Sequence, residues 1–435
     1  INQSSQSLDF IVFLVVVLCA LCVKKLVFRD ALKINLIVLL LLLLNNLHPC
    51  TVAIISGKVT KDGRPLLWKQ RDSDSLNNKL KYFFDGNYNY IGLINSSDSQ
   101  GKEIWAGTNS AGFSIMNSAS YNLNLGDTSK IKDREGIIMK LALQSCSKLS
   151  DFETLLDKLI KPMGLEANFG IIDSYGGCAF YEVSNYKYTK FDANDPAIAP
   201  FGYIIRTNFS FTGKAGDGYG HIRYRTAEEL FYQAALTDEL NPEFILQKAS
   251  RSTYNSLTKT DLCVSAKNNE LNPETFINTD DYIVRYNSSS TYLVKGWKKG
   301  DDKKQTLIWF IPGYAFCSVV IPIWYETKVA LPEVISGNKQ NSNSLICDFS
   351  LKLKQKCYPL NFPGGYKYLN LKPLFNNNTG IFQRIIAIEE IINKETKIKT
   401  EQFEKTGITE KELKDFYKFI DNIIISEYSK LLTNN

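Results

Sequence analysis

Cys50 opens the run Cys50-Thr51-Val52-Ala53-Ile54-Ile55, dense in β-branched residues, which reads as a strand. A turn signal at Asp62-Gly63 folds the chain back onto Trp68-Lys69-Gln70-Arg71-Asp72-Ser73-Asp74. Such a hairpin carries Arg71 and Asp74 to the cysteine. A thiol attacks as its thiolate, so it needs a base and a cationic neighbour. Imidazole is scarce: of the two histidines, His48 precedes Cys50 and His221 stands just before an expected helix, where capping or surface roles are the default. A cysteine with a free α-amino group needs neither, because an amine titrating at about 7.7–8.0 belongs to the same residue as the thiol. Arg71 then favours the thiolate, and Asp74 holds the ammonium or a bridging water. Read by type alone, the same residues fit equally well a buried core cysteine and a surface Arg71–Asp74 pair.

The elements that must position these groups follow from periodicity. Strands are expected at Val52–Ser56, Pro65–Lys69, Leu80–Phe84, Tyr90–Ile94, Glu103–Thr108 and Phe113–Asn117, joined as antiparallel hairpins. Helices follow at Glu135–Cys146 and at Asp151–Ile160, the second capped by Ser150 and stopped by Pro162. Strands resume at Asn168–Ile172, Cys178–Val183 and Gly202–Thr207, and helices at Arg223–Ala235 and Pro242–Ser250. A last β block covers Tyr282–Tyr286, Thr291–Gly296, Gln305–Pro312 and Cys317–Tyr325. Two β blocks with helices between them predict an α+β domain of packed, helix-flanked sheets. Beyond Leu331, Ile381–Lys394 and Lys411–Leu432 carry helical periodicity, so 332–435 reads as a helical extension packed on a core domain of 50–331.

Residues 1–49 hold two apolar runs, 10–23 and 36–44, both short of the roughly 20 residues that span a bilayer. Lys33 before the second run and Asn45-Asn46 after it give the pattern of a secretory leader of uncertain start, with a membrane anchor as the alternative; the leader reading makes this an exported protein, secreted or periplasmic, with no membrane span once the leader is gone. The formal charge of +6 is small and scattered, which argues against a nucleic-acid partner. No Cys-x-x-Cys pair or Cys/His cluster follows residue 49, so no metal and no cofactor is expected. Seven of the nine cysteines follow residue 49, an odd number that leaves a thiol unpaired; Cys347 and Cys357 read either as a pair or as free buried thiols.

The layout resembles the linear-amide C–N hydrolases of the N-terminal nucleophile superfamily, which include choloylglycine hydrolases and the acyl-coenzyme A:6-aminopenicillanic acid acyltransferase-like, peptidase C45-like proteins. The matching pieces, in the family's order over roughly residues 50–325, are Cys50-Thr51, Asp62-Gly63 and Arg71-x-x-Asp74. They continue with Gly107-Thr108-Asn109-Ser110-Ala111-Gly112-Phe113 on to Asn117, then Ile171-Ile172-Asp173-Ser174-Tyr175-Gly176-Gly177 on to Glu182. Arg206-Thr207-Asn208-Phe209 and Ile222-Arg223-Tyr224 complete the set. The resemblance implies a four-layer αββα sandwich of two antiparallel sheets and cleavage of a small-molecule acyl amide through a thioester. It implies Cys50 as nucleophile, Arg71 and Asp74 as its charged neighbours, Asn208 and Asn117 as oxyanion contributors, and Arg223 as a supporting arginine. Asn109 competes with Asn117 for its role.

Two departures stand out. The stretch from Cys50 to Arg71 is a few residues longer than in choloylglycine hydrolases, and Leu47-His48-Pro49 is a poor signal-peptidase site, which points to a cut upstream followed by autocatalytic maturation, or to a Cys50 that is not the N-terminus. An acyltransferase shares the first half-reaction. From another class, Leu47 three residues before Cys50 admits a lipid-anchored binding protein with Cys50 as the lipidation site. An oligomer is left open.

Overall fold

The computed structural model describes residues 50–267, 275–298, 300, 306–326, 328–337, 342–376 and 379–433. The expected leader, 1–49, lies outside them. Strand β1 (Cys50–Ile55) is an interior strand, second from one edge, of a six-stranded antiparallel sheet, and all six of its residues are buried. The hairpin partner β2 (Leu66–Asp72) sets Cys50 opposite Arg71, Val52 opposite Lys69 and Ile54 opposite Leu67. Directly opposed residues share a face and neighbours along a strand alternate. Cys50, Val52, Lys69 and Arg71 therefore face one way, and Thr51, Ala53 and Trp68 the other. Both faces are covered, which is why β1 shows no apolar–polar alternation.

The second sheet is a meander of seven strands in sequence order: β3 (Asn78–Phe83), β4 (Tyr90–Asn95), β5 (Ala106–Asn109), β6 (Ser114–Ala119), β7 (Ala167–Ile172), β8 (Cys178–Val183) and β9 (Tyr188–Asp192). The first sheet is completed by β10 (Tyr203–Arg206), β11 (Ser288–Lys295), β12 (Leu307–Pro312) and β13 (Ile321–Trp324), in the order β10-β1-β2-β11-β12-β13. The sheets face each other through Val52, Ile54, Leu93, Met116, Ile172 and Phe180. Helices α1 (Glu135–Ser145) and α2 (Leu149–Lys158) cover the meander around Phe113, Phe152 and Phe169. Helix α3 (His221–Leu236) and a π-helical turn, Phe244–Ala249, cover the first sheet. There Trp68 stacks on Phe231 at 5.8 Å and its indole donates to Ser250 Oγ at 2.8 Å. The chain adopts the αββα order implied by the resemblance.

The C-terminal region supplies α4 (Leu345–Cys357), α5 (Ile381–Thr406) and α6 (Glu410–Thr433). Their apolar residues join the core of the first sheet. Polar pins fix them: the Tyr428 hydroxyl accepts from Val319 N at 3.0 Å, and Arg251 pairs with Glu389 of α5 at 2.7 Å, both side chains buried.

Several elements differ from the sequence reading. Tyr282–Tyr286 is no strand; Arg285 N donates to Ser288 Oγ in a turn, and the strand begins at Ser288. Strand β9 and helix α4 lay outside the expected elements. Helix α2 starts at Leu149, ahead of Ser150, because the Asp151 carboxylate takes the Ser147 and Lys148 amide hydrogens. Helix α5 continues twelve residues past Lys394. Cys347 and Cys357 are free, and ten residues of one helix set them about 15 Å apart. Among the described residues no helix is long and apolar enough to cross a membrane.

Candidate active site

The β1–β2 register alone sets the Arg71 guanidinium beside Cys50, at the end of β1 where the side chains point between the sheets. Cys50 is buried, with Sγ 3.9 Å from the Asp72 carbonyl oxygen. Its nitrogen donates to Asn208 Oδ1 at 2.9 Å. Arg223, from the first turn of α3, joins the same oxygen: Nη2 donates to Asn208 Oδ1 at 2.8 Å. Its Nη1 donates to Cys50 O at 2.7 Å and to Thr51 Oγ1 at 3.0 Å. Cys50, Asn208 and Arg223 are thus locked into one motif from three separate elements.

Gly220 makes this possible. It sits at φ 82°, in the left-handed region, and a Cβ there would lie 2.4 Å from Arg223 Nη2. Asn208 is held by its own loop, where it bridges to Tyr219 and its Nδ2 donates to Ala119 O at 2.9 Å. The buried pair Arg206–Glu182, at 2.8 Å, secures that loop. Glu182 also accepts from Phe211 N and Thr212 N.

The electrostatics on the meander side of Cys50 are unusual. Arg71 is buried, and its hydrogen-bond acceptors are the neutral side chains of Asn78, Asn95 (2.8 Å) and Ser289 (3.4 Å). Its guanidinium lies over the Trp105 ring at 5.1 Å. Burial pulls its pKa down to about 10, with Cys50, Asp72 and Glu103 opposing. Lys69, on the same face, donates to Asn117 Oδ1 and to Trp105 O, both at 2.7 Å. Burial lowers it to about 8, with Cys50 acting against that shift and Arg71 adding to it. Arg223 is likewise drawn down to about 10, by burial first and Arg285 second.

The structure brings together Cys50, Arg71, Asn117, Asn208 and Arg223, but not Asp74. Strand β2 ends at Asp72, and Asp74 is exposed, accepting from Asn287 Nδ2 at 2.9 Å. Asp72, whose carbonyl oxygen lies near Cys50 Sγ, has a buried carboxylate held by Arg285 Nε at 2.8 Å and Ser288 Oγ at 2.6 Å. Asn109 is spent on the end of α1 and on its own turn: Nδ2 donates to Leu143 O and Cys146 O, and Oδ1 accepts from Ala111 N and Phe113 N. His221 is exposed, with its ring stacked on Phe209 at 4.3 Å. Lys69 and Asp72, buried at this end of β2, were not among the residues singled out from the sequence. The signal for Lys69 was its place after Leu66-Leu67-Trp68, where strand alternation sets it on the Cys50 face. Among the described residues no group of three or more His, Cys, Asp or Glu side chains is placed to hold a metal ion.

No protein-family model matches the chain, and no curated protein does. Among solved structures it is similar to a penicillin V acylase from Agrobacterium tumefaciens, at 13% identity over 64% of this chain and 87% of that one, TM-score 0.38. It is similar to a Caenorhabditis elegans orthologue of N-acylethanolamine-hydrolyzing acid amidase, at 12% identity over 44% and 86%, TM-score 0.33. A third is a conjugated bile acid hydrolase from Clostridium perfringens, at 13% identity over 63% and 92%, TM-score 0.35. At scores this low, the function has to be read from the residues of the site.

Proposed function

We propose that the chain is an amidohydrolase that cleaves a linear acyl amide with Cys50, which becomes the N-terminal residue when the preceding segment is removed. The observation that supports this most is the anchored Cys50 nitrogen: a side chain 158 residues away accepts its hydrogen, and a buried arginine fixes that acceptor. A structural cysteine has no use for such a device.

Freed as an amine, that nitrogen takes the thiol proton. Sulfur attacks the amide carbon, and the carbonyl electron pair moves to oxygen. The Nδ2 groups of Asn208 and Asn117 are the donors assigned to that oxyanion, each worth about 3–4 kcal/mol in a dry site. As the C–N bond breaks, the leaving amine recovers the proton from the ammonium. Water then attacks the thioester, its proton passing to the amine, and the acid leaves with the thiol restored. Arg71 and Lys69 offset the negative charge on sulfur once the amine has taken its proton. An acceptor amine in place of water makes the same site an acyltransferase.

The lipid-anchor reading fits less well, because Cys50 is 4% exposed and lies opposite Arg71 within the sheet. The test incubates the protein with N-acyl p-nitroanilides of graded chain length and follows intact mass after rapid acid quench. Release of p-nitroaniline with a transient acyl adduct on Cys50, lost in Cys50→Ala, supports the proposal; turnover that survives Cys50→Ala rejects it.

A further inference from the structure

The two edges of the first sheet are treated differently. Strand β13 carries Pro322, and the Tyr417 hydroxyl of α6 bonds both Trp324 N and Trp324 O, at 3.1 and 3.2 Å. Strand β10 has no such cover, and its one charge, Arg206, is tied to Glu182. An apolar edge left in that state is a template for a further strand. Ser56 N donates to Gly202 O at 2.8 Å, so in the β1–β10 register Gly202, Ile204 and Arg206 bond toward β1, while Tyr203 and Ile205 turn N–H and C=O outward. Ile205 O accepts from Arg206 Nη1 at 2.8 Å. Tyr203 N, Tyr203 O and Ile205 N have no partner among the described residues. This open edge lines a cleft of about 620 Å³ whose other wall is α3. Tyr224, Glu228 and Tyr232 line that wall over about 12 Å, and the four residues of β10 span about 13 Å. Arg206 lies 4.8 Å from the Phe191 ring and 4.6 Å from the Phe211 ring. With Nε on Glu182 and Nη1 on Ile205 O, its Nη2 is the donor left for the cleft. Cys50 is one strand in from this edge, with Sγ near Asp72 O of β2.

We propose that this groove binds the C-terminal tail of a peptide chain, added as a strand parallel to β10, with its terminal carboxylate on Ile205 N–H and Arg206 Nη2 and apolar side chains at its last two positions. The open backbone groups set the direction. In a parallel ladder one residue of the added chain donates to Tyr203 O and accepts from Ile205 N–H, and the residue two before it accepts from Tyr203 N–H. Continuing past that residue would require Ile205 O, which Arg206 already occupies, so the ladder stops where the guanidinium stands. A carboxylate ending the chain there meets a charged donor and a backbone N–H together. The last side chain shares the face of Ile204, toward Phe191 and Phe211. The one before it shares the face of Tyr203, toward Phe201 and Tyr232, whose rings lie 5.1 Å apart. The proposal is independent of the chemistry assigned to Cys50.

The test is fluorescence anisotropy on the whole chain with fluorescein-labelled peptides, Gly-Ser-Gly-Ser followed by every pair drawn from Val, Leu, Phe and Tyr, each with a free C-terminal carboxylate. Saturable binding is expected within this set. Amidating the C-terminus of the tightest peptide should weaken it by about tenfold or more, and N-methylating its last residue, which removes the hydrogen meant for Tyr203 O, by about fivefold or more. Tyr232→Ala, verified as folded by circular dichroism, should weaken it severalfold, while protein alkylated at Cys50 should bind as the untreated protein does. Absence of saturable binding across the set, or equal affinity for acid and amide, overturns the proposal. Loss of binding on alkylation of Cys50 would place the peptide at the thiol instead and also overturns it. Displacement of the tracer by phenylacetate or hexanoate as readily as by unlabelled peptide would replace it with a subsite for small acids.

Discussion

Replacing Asn208 with alanine removes a side chain that ties three elements together and that the proposed mechanism uses as an oxyanion donor. At least three hydrogen bonds among the described residues go: Cys50 N and Arg223 Nη2 onto Oδ1, at 2.9 and 2.8 Å, and Nδ2 onto Ala119 O, at 2.9 Å. A bond from a charged donor contributes about 1.5–3 kcal/mol and a neutral one about 0.5–1.5 kcal/mol. Arg223 has no outlet in water, being buried with its Nε already unpartnered among the described residues. Allowing for non-additivity, Asn208→Ala should destabilise the fold by about 3 kcal/mol or more, a larger effect than a turn asparagine would give. Urea unfolding reads that directly. Acylation, measured at a temperature where the variant is fully folded, should fall by about 10²–10³-fold, since an oxyanion donor is lost and the Cys50 nitrogen is released. Near-native urea midpoint together with near-native acylation would refute the assignment. A stability loss alone, with unchanged turnover of the folded fraction, would reduce Asn208 to a scaffold residue.

Other perturbations separate parts of the account. Gly220→Ala puts a Cβ 2.4 Å from Arg223 Nη2 at a left-handed φ of 82°, so acylation should drop by at least about tenfold and stability by about 1–2 kcal/mol, read by burst kinetics and thermal melts. His221→Ala should keep most activity, because its ring stacks on Phe209 at the surface, and loss of turnover in a folded variant would point to a Cys-His pair instead. Burial raises the Glu135 carboxyl to about 7, so the folded chain binds more protons than the unfolded one between about pH 4.5 and 7. Its contribution to stability is present below that window and is lost as pH rises through it, by about 3 kcal/mol at most. Glu135→Gln should flatten that part of the urea-midpoint profile, and an unaltered profile would show that Glu135 does not titrate there.

The sequence showed the hairpin because its turn is local: Asp62-Gly63 sets Arg71 against Cys50 with little help from the rest of the chain. Asn208 and Arg223 were legible only through the family resemblance, since nothing in their spacing reveals that α3 reaches over β1. That Asp72 is buried and Asp74 exposed has a physical cause. Pairing with β11 carries β2 as far as Asp72, and Arg285 and Ser288, more than 200 residues away, capture its carboxylate. A sequence pattern holds no trace of those partners. Lys69 was overlooked for a similar reason, because a lysine in a strand suggests a solvent-facing position until a second sheet covers it. The expected strand at Tyr282–Tyr286 failed because β propensity describes residues that suit a half-buried sheet, and here tight turns and the Arg285–Asp72 contact hold them.

The N-terminal nature of the nucleophile is tested most directly by sequencing the chain that carries the acyl group. Protein trapped with an acylating amide is separated by mass, and the adduct-bearing species is subjected to Edman degradation after mild thioester cleavage. The account predicts that the species reads Cys-Thr-Val-Ala from its first cycle and that protein retaining Pro49 carries no adduct, because an amide nitrogen has no basic lone pair to take the thiol proton. A full-occupancy thioester on a chain that still holds Pro49 would contradict it.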